Sequence, residues 1–448
     1  MAFSSLQQYQ ERKNKLAAQT ANLTGRFSVK KRTSSNLFRY TGRKQQRAQV
    51  VSLQDFYHVL EIDHHNKTLQ VEGLATFYDI VKATLKHDLL PPIAPELKHI
   101  TIGGASVGIG IESACFKHGF VHDSLLEVDV LLPSGKIITA MPDNEHADLF
   151  HALGNSYGTL GYILRAKVQL VPAKPFVKVS NTLFNDVSAY IDAMQTATKA
   201  ADIDFIEGLF YSKTELYLTT VAFVDQAQDC FNIYGTQPYY KKLRGETEFY
   251  LTTLDYIFRY DPDWFWNLPE TPFYTFFRKY MPKSIRNSGF YNRYIQFKYK
   301  WMQKLRIKPD DSEEKLIQDW EVPWDKAVAF TEFTLDNIDI QDQPFIAVPI
   351  ITAKAATLYP LKPNTLYYNV GCYCYAKRPT YNEDFYYTKI MDRACFEANG
   401  LKMLYSSTFI DKAEFDAIYN GKAYAQLKSK YDPDGNAPTL FEKAVSNA

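Results

Sequence analysis

Apolar and polar positions alternate along this chain in short blocks, and the period of the blocks changes. Residues 5–18 place Leu6, Tyr9, Leu16 and Ala17 on one rough stripe, which predicts an amphipathic helix. Residues 26–39 read as a strand running into a basic, hydroxyl-rich loop, and residues 49–73 as two strands around an Asp63–Lys67 turn. Thr76–His87 reads as a helix with Thr76 as its N-cap and Asp79 at the third position, where negative charge is favoured. Asp123–Ile138 predicts a strand, a Pro133-Ser134-Gly135 turn and a second strand. Asp148–Ile163 is a short helical segment broken by Gly154, Gly158 and Gly161. Ile163–Val171 then alternates apolar and polar, as a strand that Pro172 ends. From about residue 178 the texture becomes alternating strands and helices rich in Tyr and Phe.

A chain of 448 residues exceeds one ordinary domain, so two lobes are expected. All nine histidines lie between positions 58 and 151, which gives the lobes different characters. The net charge of +1 makes no global case for nucleic acid. The five cysteines are scattered, and Cys372 and Cys374, alternating on a strand, are expected on opposite faces. Neither a disulfide framework nor a metal site is expected, and a reducing, cytoplasmic setting fits. No apolar run reaches eighteen residues, so no transmembrane helix is expected. Met1–Ala18 is too polar for a signal peptide.

Candidate chemistry concentrates in Ile102–Glu112. Gly103, Gly104, Gly108, Gly110 and Ser106 fall within eight residues after an extended apolar stretch. Glycine lets backbone N–H groups crowd against a ligand, and successive N–H groups form an anion nest suited to a pyrophosphate. A tight turn between two strands is the other reading of the same run. The following strand pair and second glycine-rich turn, in that order and spacing, resemble the flavin domain of the vanillyl-alcohol-oxidase (PCMH) type. That resemblance implies an α+β fold: an FAD-binding domain of two α+β lobes with an α+β cap over the substrate.

Within that superfamily four stretches are similar to the delta-24 sterol reductases and their shorter bacterial relatives. They are Leu60–Val71 with Pro95–Gly119, Gly154–Val177, Glu207–Ser212, and Gly400–Lys443 with Leu404-Tyr405-Ser406 and Lys430–Gly435. The resemblance implies an FAD-binding domain at 1–177, a cap or substrate domain at 178–399, and a segment at 400–448 that returns to the flavin. The animal members carry an N-terminal membrane anchor, which the polar start of this chain does not resemble. Cofactor contacts are expected from Ile102, Gly103, Gly104, Ala105, Ser106, Gly108, Gly110, Ile111 and Glu112, and from Gly158, Thr159, Gly161 and Ile163 in the second glycine-rich turn. Glu112 reads either as an acceptor for ribityl hydroxyls or as a turn cap.

The loop at 30–36 is the second candidate for the phosphates. Related flavoproteins usually have glycines there, and many a histidine bonded to the flavin; this loop has neither. Lys31 and Arg32, with Lys30, offset pyrophosphate charge, and Thr33, Ser34, Ser35 and Asn36 donate hydrogen bonds. FAD is therefore expected to be non-covalent. A cation near N1 of the flavin stabilises its reduced anion, and Lys402, Lys428 and Lys430 are candidates. Tyr405 is placed near the ring or substrate, and Lys117 and His118 facing the flavin; Tyr405, Lys402 and His118 are the catalytic candidates. Core packing or surface solvation is the alternative for each. Residues 256–266 and 319–323 gather aromatics with Arg259, Asp261, Asp263, Asp319 and Glu321, as a substrate cleft or an aromatic core with a buried Arg–Asp pair.

From Thr271 to Pro309 there is no Asp or Glu, while Lys and Arg alternate with Phe, Tyr and Trp. That pattern fits an anionic membrane surface or a solvated cationic face. The expected activity is FAD-dependent hydride transfer through flavin N5, reducing an isolated C=C bond in a sterol-like or other lipophilic substrate with NADPH. An alcohol, polyol or lipid-linked sugar oxidase is the alternative. A flavin-binding membrane scaffold without catalysis is a third.

Overall fold

A computed structural model describes the chain except residues 1, 22, 24, 33–48, 236, 263–270, 273–275, 277–279, 307–311, 340–342, 379–382 and 446–448, and the side chains of Tyr299 and Gln303. Local signals set the first elements. The helix Leu6–Thr20 begins at Ser5, whose side chain accepts from the Gln8 amide in a capping box. The helix Phe77–Thr84 begins at Thr76, which accepts from the Asp79 amide, as its sequence predicts. The turn after Val59–Asp63 is closed by the Asn66 amide donating to Asp63 Oδ1 (2.9 Å), with Lys67 at φ 51°.

Two antiparallel sheets organise the molecule. The first has five strands in the order Val59–Asp63, Thr68–Glu72, Tyr162–Gln169, Leu125–Leu131, Ile137–Ala140. The strand expected to run to Pro172 ends at Gln169, and Val171–Pro172 pair instead with Leu89–Leu90. Arg165, a polar position of that strand, is buried by an ion pair with Asp129 (3.0 Å). Tyr9 of the N-terminal helix donates to the same Asp129 (2.6 Å), which fastens that helix to the sheet.

The second sheet has eight strands in the order Glu248–Thr252, Phe176–Phe184, Glu215–Val224, Phe205–Ser212, Phe345–Ile351, Leu366–Lys377, Glu313–Pro323, Leu401–Lys402. Helices Val187–Ala197, Ala327–Asn337 and Tyr386–Glu397 cover one face, where Tyr190, Met194, Trp320, Phe330 and Met391 form a core. The other face, with Leu209, Val348, Ile350 and Tyr367, shares a core with the five-stranded sheet. The Ile206 amide donates to Ser113 O (2.8 Å) across this junction.

Strand alternation assigns every residue of Glu313–Pro323 to a face. Leu316, Trp320 and Val322 meet the helices, so Ile317, Asp319 and Glu321 face the first sheet. The same rule corrects one expectation. Cys372 and Cys374 lie two residues apart on Leu366–Lys377 and so share a face; both are buried against the helices, and all five cysteines are free thiols. Among the described residues no helix is long and apolar enough to cross a membrane, and no cluster of three or more His, Cys, Asp or Glu could hold a metal ion.

Candidate functional site

Ile102–Val107 forms a short helix rather than a nest of free amides. Thr101 caps it by accepting from the Gly104 amide (3.2 Å), and Ile102, Gly103 and Ala105 donate to Ala75 O, Gly73 O and Thr101 O. None of the four glycines needs a positive φ; the one left-handed residue is Ile109, at φ 54°. Two of the glycines serve packing. A Cβ on Gly103 would meet Gly73 O at 2.8 Å, and one on Gly110 would meet Val121 Cγ2 at 2.5 Å. Gly104 is different: it is exposed, and its Cβ would meet only Thr101 Oγ1, at 3.0 Å.

The second glycine-rich turn lies directly against this helix. The Tyr157 amide donates to Val107 O (2.8 Å), and its hydroxyl to Gly108 O (3.1 Å). Gly158 at φ 74° and Gly161 at φ 152° make the turn, and Gly161 approaches Leu131 O too closely for a side chain. Thr159 is buried, its hydroxyl on Ser156 O (2.8 Å), and Ile163 opens the strand that Gly73 packs against. Lys31 stands over the Tyr162 ring (5.7 Å), whereas Arg32 stacks on Tyr57 (3.6 Å). Thr33, Ser34, Ser35 and Asn36 lie outside the described residues.

FAD is tested here by the donors these segments leave over. Ser106 Oγ and Ser156 Oγ are buried with no hydrogen-bond partner among the described residues. Burying a hydroxyl without a partner costs about 1–3 kcal/mol in proteins. Two such hydroxyls on touching segments, with the exposed backbone of Gly104 on the same short helix as Ser106, fit a phosphate-bearing cofactor. The C-terminal segment closes the same region: Lys428 donates to Thr159 O (3.0 Å) and Lys443 to Tyr157 O (2.5 Å). Lys428 is also paired with Asp432 (2.5 Å), so its charge is spent within its own segment. Lys430 is held at the surface by Asp148 (2.8 Å).

A cluster of buried carboxylates lines the junction of the two sheets. Glu207 is paired with Arg259 (2.5 Å), and Arg259 also reaches Glu112 (3.4 Å). Glu112 further accepts from the Glu96 amide (3.0 Å) and the Ser113 amide (3.2 Å). Burial pushes the carboxyls of Glu112 and Glu96 upward, and the neighbouring carboxylates add to this at both. Of the two aspartates open to a buried pair with Arg259, Asp263 lies outside the described residues, and Asp261 accepts instead from the Lys98 amide (3.0 Å) and Ser288 Oγ (2.6 Å).

On strand Glu313–Pro323, Asp319 accepts from the Tyr405 hydroxyl. Its cross-strand partner is Gly371, where a Cβ would come within 2.4 Å of Asp319 Oδ1; the missing side chain makes room for the carboxyl. Burial raises Asp319 to about 7, against the lowering effect of its bonds from Tyr405 and Asn369. Two residues on, Glu321 accepts from Tyr359 and from Asn369 Nδ2 (3.1 Å), and burial lifts it well above the ordinary range.

Of the three catalytic candidates, Tyr405 stands at these carboxylates. Lys402 does not: it pairs in register with Trp320, on the helix-covered face, and its ammonium is buried against Asp392 (2.7 Å) and Ser407 O (2.5 Å). That ammonium holds the last strand to helix Tyr386–Glu397. His118 lines a recess of about 320 Å³ together with Glu112, Leu90, Phe205, Phe223 and Ile257. Burial lowers its imidazole pKa, so it is neutral at pH 7. Lys117 lines the same recess, paired with Asp204 (3.3 Å). Tyr359, Asn369 and Gly371 stand at the same carboxylates although no motif marks them, and Glu207 opens the Glu207–Ser212 stretch; a glycine and paired carboxylates inside apolar strands are the signal they carry.

Residues 20–141 match the family described as FAD binding domain. The chain is 25% identical to the delta(24)-sterol reductase of Homo sapiens over 425 residues, covering 89% of this chain and 78% of that protein. It is 24% identical to the delta(24)-sterol reductase of Arabidopsis thaliana over 452 residues, covering 90% and 77%. A shorter match, 29% over 150 residues, covers 33% of this chain and 26% of cytokinin dehydrogenase 1 of Arabidopsis thaliana.

Proposed function

We propose, for a chain that is an FAD-dependent oxidoreductase similar along most of its length to the delta(24)-sterol reductases, that it reduces a C=C bond of a sterol-like or other lipophilic substrate with NADPH as electron donor. Residues 1–177 are read as the flavin-binding part, 178–399 as the substrate-binding part and 400–448 as the segment closing on both. Ser106, Ser156, Gly104 and Lys31 are the residues read as holding the FAD phosphates. When bound, FAD supplies a two-electron hydride carrier at N5.

The observation that carries the reading is the Tyr405–Asp319 pair. Adding hydrogen across a C=C bond needs one hydride and one proton. Tyr405 Oη, kept un-ionised by burial, is the proton donor. Asp319, raised to about 7, is half protonated at neutral pH and returns a proton to that oxygen. The apolar lining of the recess beside Glu112, with Leu90, Phe205, Phe223 and Ile257, suits an apolar ligand. A lipophilic substrate also implies supply from a membrane surface.

Anaerobic stopped-flow of the holoprotein tests this. NADPH is expected to bleach the flavin, and a sterol with an unsaturated side chain to restore its colour. Bleaching by a polyol or sugar alcohol and not by NADPH would replace the reading with an alcohol oxidase. Bleaching by neither would leave a binding protein.

A further inference from the structure

The helix Ser288–Lys304 has an unusual distribution of apolar side chains. Its first turns are buried: Ser288 donates to Asp261, and Tyr291 packs with Leu97 and Met281, a cluster that Tyr373 borders. Beyond Asn292, Ile295 still borders that cluster, but a second set of apolar residues turns outward. Tyr294, Phe297, Trp301 and Leu305 are 46%, 63%, 56% and 49% exposed. Tyr294, Phe297 and Trp301 occupy i, i+3 and i+7 and share one face, and Leu305 follows just past the helix end, its amide donating to Trp301 O (3.0 Å). Arg293, Lys298, Lys300 and Lys304 flank this stripe and are all exposed. Phe276, in contact with Tyr280 (4.6 Å between ring centres), adds a further exposed ring from the preceding segment.

We propose that this outward face of helix Ser288–Lys304 docks on an anionic lipid surface. Exposed apolar stripes of this kind mark interaction surfaces, and charge selects the occupant. No Asp or Glu occurs from Thr271 to Pro309, so a second copy laid on the same face would set lysine against lysine. Acidic lipid headgroups complement the basic flanks, and Trp, Tyr and Phe favour the headgroup level of a bilayer. The buried end of the helix supplies the link to the site. Tyr373, which borders the cluster around Tyr291, also lies within the field of Asp319 and Glu112. The lipid-facing helix is thus connected to the carboxylate site through Tyr373, so docking would bring that side of the molecule to the membrane. The idea deepens the lipophilic-substrate reading and rests on it for its purpose, but its test needs no turnover.

The test is co-sedimentation of the holoprotein with vesicles of phosphatidylcholine plus phosphatidylserine, against phosphatidylcholine alone. Binding is expected to the acidic vesicles only, and to weaken with salt as the screening length falls from about 10 Å at 0.1 M to about 3 Å at 1 M. Each basic residue near such a surface strengthens binding by about fivefold, so K298E/K300E/K304E should weaken it by about 100-fold or more. F297S/W301S should weaken it in the same assay, and flavin absorbance per chain should be unchanged in both variants. Equal binding to the two vesicle types, or unchanged binding of both variants, would overturn the proposal. So would a wild-type dimer that F297S/W301S dissolves without any vesicle binding. A protein that reduces the sterol in detergent yet ignores vesicles would lose this proposal and keep the enzymatic reading; vesicle binding without NADPH oxidation would do the reverse.

Discussion

The hydroxyl of Tyr405 donates to the carboxyl group of Asp319, tying the turn at 404–406 to Glu313–Pro323, the strand next to the edge of the eight-stranded sheet. The two residues are 86 apart in the chain. Asp319 is buried, and Gly371 opposite leaves its carboxyl room. A carboxyl raised to about 7 is protonated below that pH and ionised above it.

The rate of substrate reduction should therefore be level below about pH 7 and fall tenfold per pH unit above it. Asp319→Asn keeps the shape but cannot pass a proton on. It should lower the rate by about 10²–10⁴-fold and remove the break, while flavin reduction by NADPH stays normal. The linkage runs the same way. The folded pKa lies above the unfolded value of about 3.9, so this group's contribution to stability is full below that and is lost as pH rises through about 7. Thermal melts of wild type and D319N should converge at acid pH and separate in favour of D319N above pH 7. A rate profile that keeps its break in D319N would remove Asp319 from the proton path.

The glycine segment makes a contrast between neighbours. Gly104→Val should lower bound FAD and leave the melting temperature of the apoprotein nearly unchanged, because its Cβ meets only Thr101 Oγ1. Gly103→Val and Gly110→Val should unfold or strongly destabilise the chain, because backbone at Gly73 and the Val121 side chain occupy those volumes. Absorbance at the flavin band and differential scanning calorimetry separate the two effects. Normal FAD content in G104V would free this surface from any role in phosphate binding.

These differences show which parts of the structure were legible in the chain. The Thr76 cap and the Asp63 turn are local, and their hydrogen bonds span three residues, so pattern alone predicts them. The glycine run was legible as a special place but not as a helix, because Thr101 capping competes with the nest for the same amides. Lys402 was misread because its face depends on pairing with Trp320, a register no local pattern contains. Arg259 finds Glu207, 52 residues away, rather than Asp261 beside it, for the same reason. Cys372 and Cys374 needed only the two-residue period of a strand to be placed on one face.

FAD should leave the protein on denaturation. No histidine precedes His58, and the His58 ring is hydrogen-bonded to Glu72 (2.7 Å). Acid precipitation should leave a yellow supernatant and a colourless pellet. Colour retained in the pellet, with a flavin-bearing peptide by mass spectrometry, would establish a covalent link instead.

Arg259 holds the carboxylate cluster together. It is buried, paired with Glu207 at 2.5 Å and near Glu112 at 3.4 Å, with its guanidinium over the Tyr256 ring at 4.6 Å. Arg259→Met keeps much of the volume and removes the charge. Breaking a buried pair from one side costs about 3–5 kcal/mol, because the partner is left as an uncompensated charge. Here two partners are left, and the Glu112 carboxyl, already raised by burial against the pull of Arg259, should rise further. Protonation then becomes the way to relieve the strain. The melting temperature of R259M should therefore fall well below that of wild type at pH 8, and the gap should narrow as pH drops toward 5. Adding Glu207→Gln to R259M should recover part of the loss at pH 8, because it removes the nearer of the two stranded charges. A loss in R259M independent of pH, and unrelieved by E207Q, would mean that Arg259 contributes through packing against Tyr256 and Tyr260 rather than through charge.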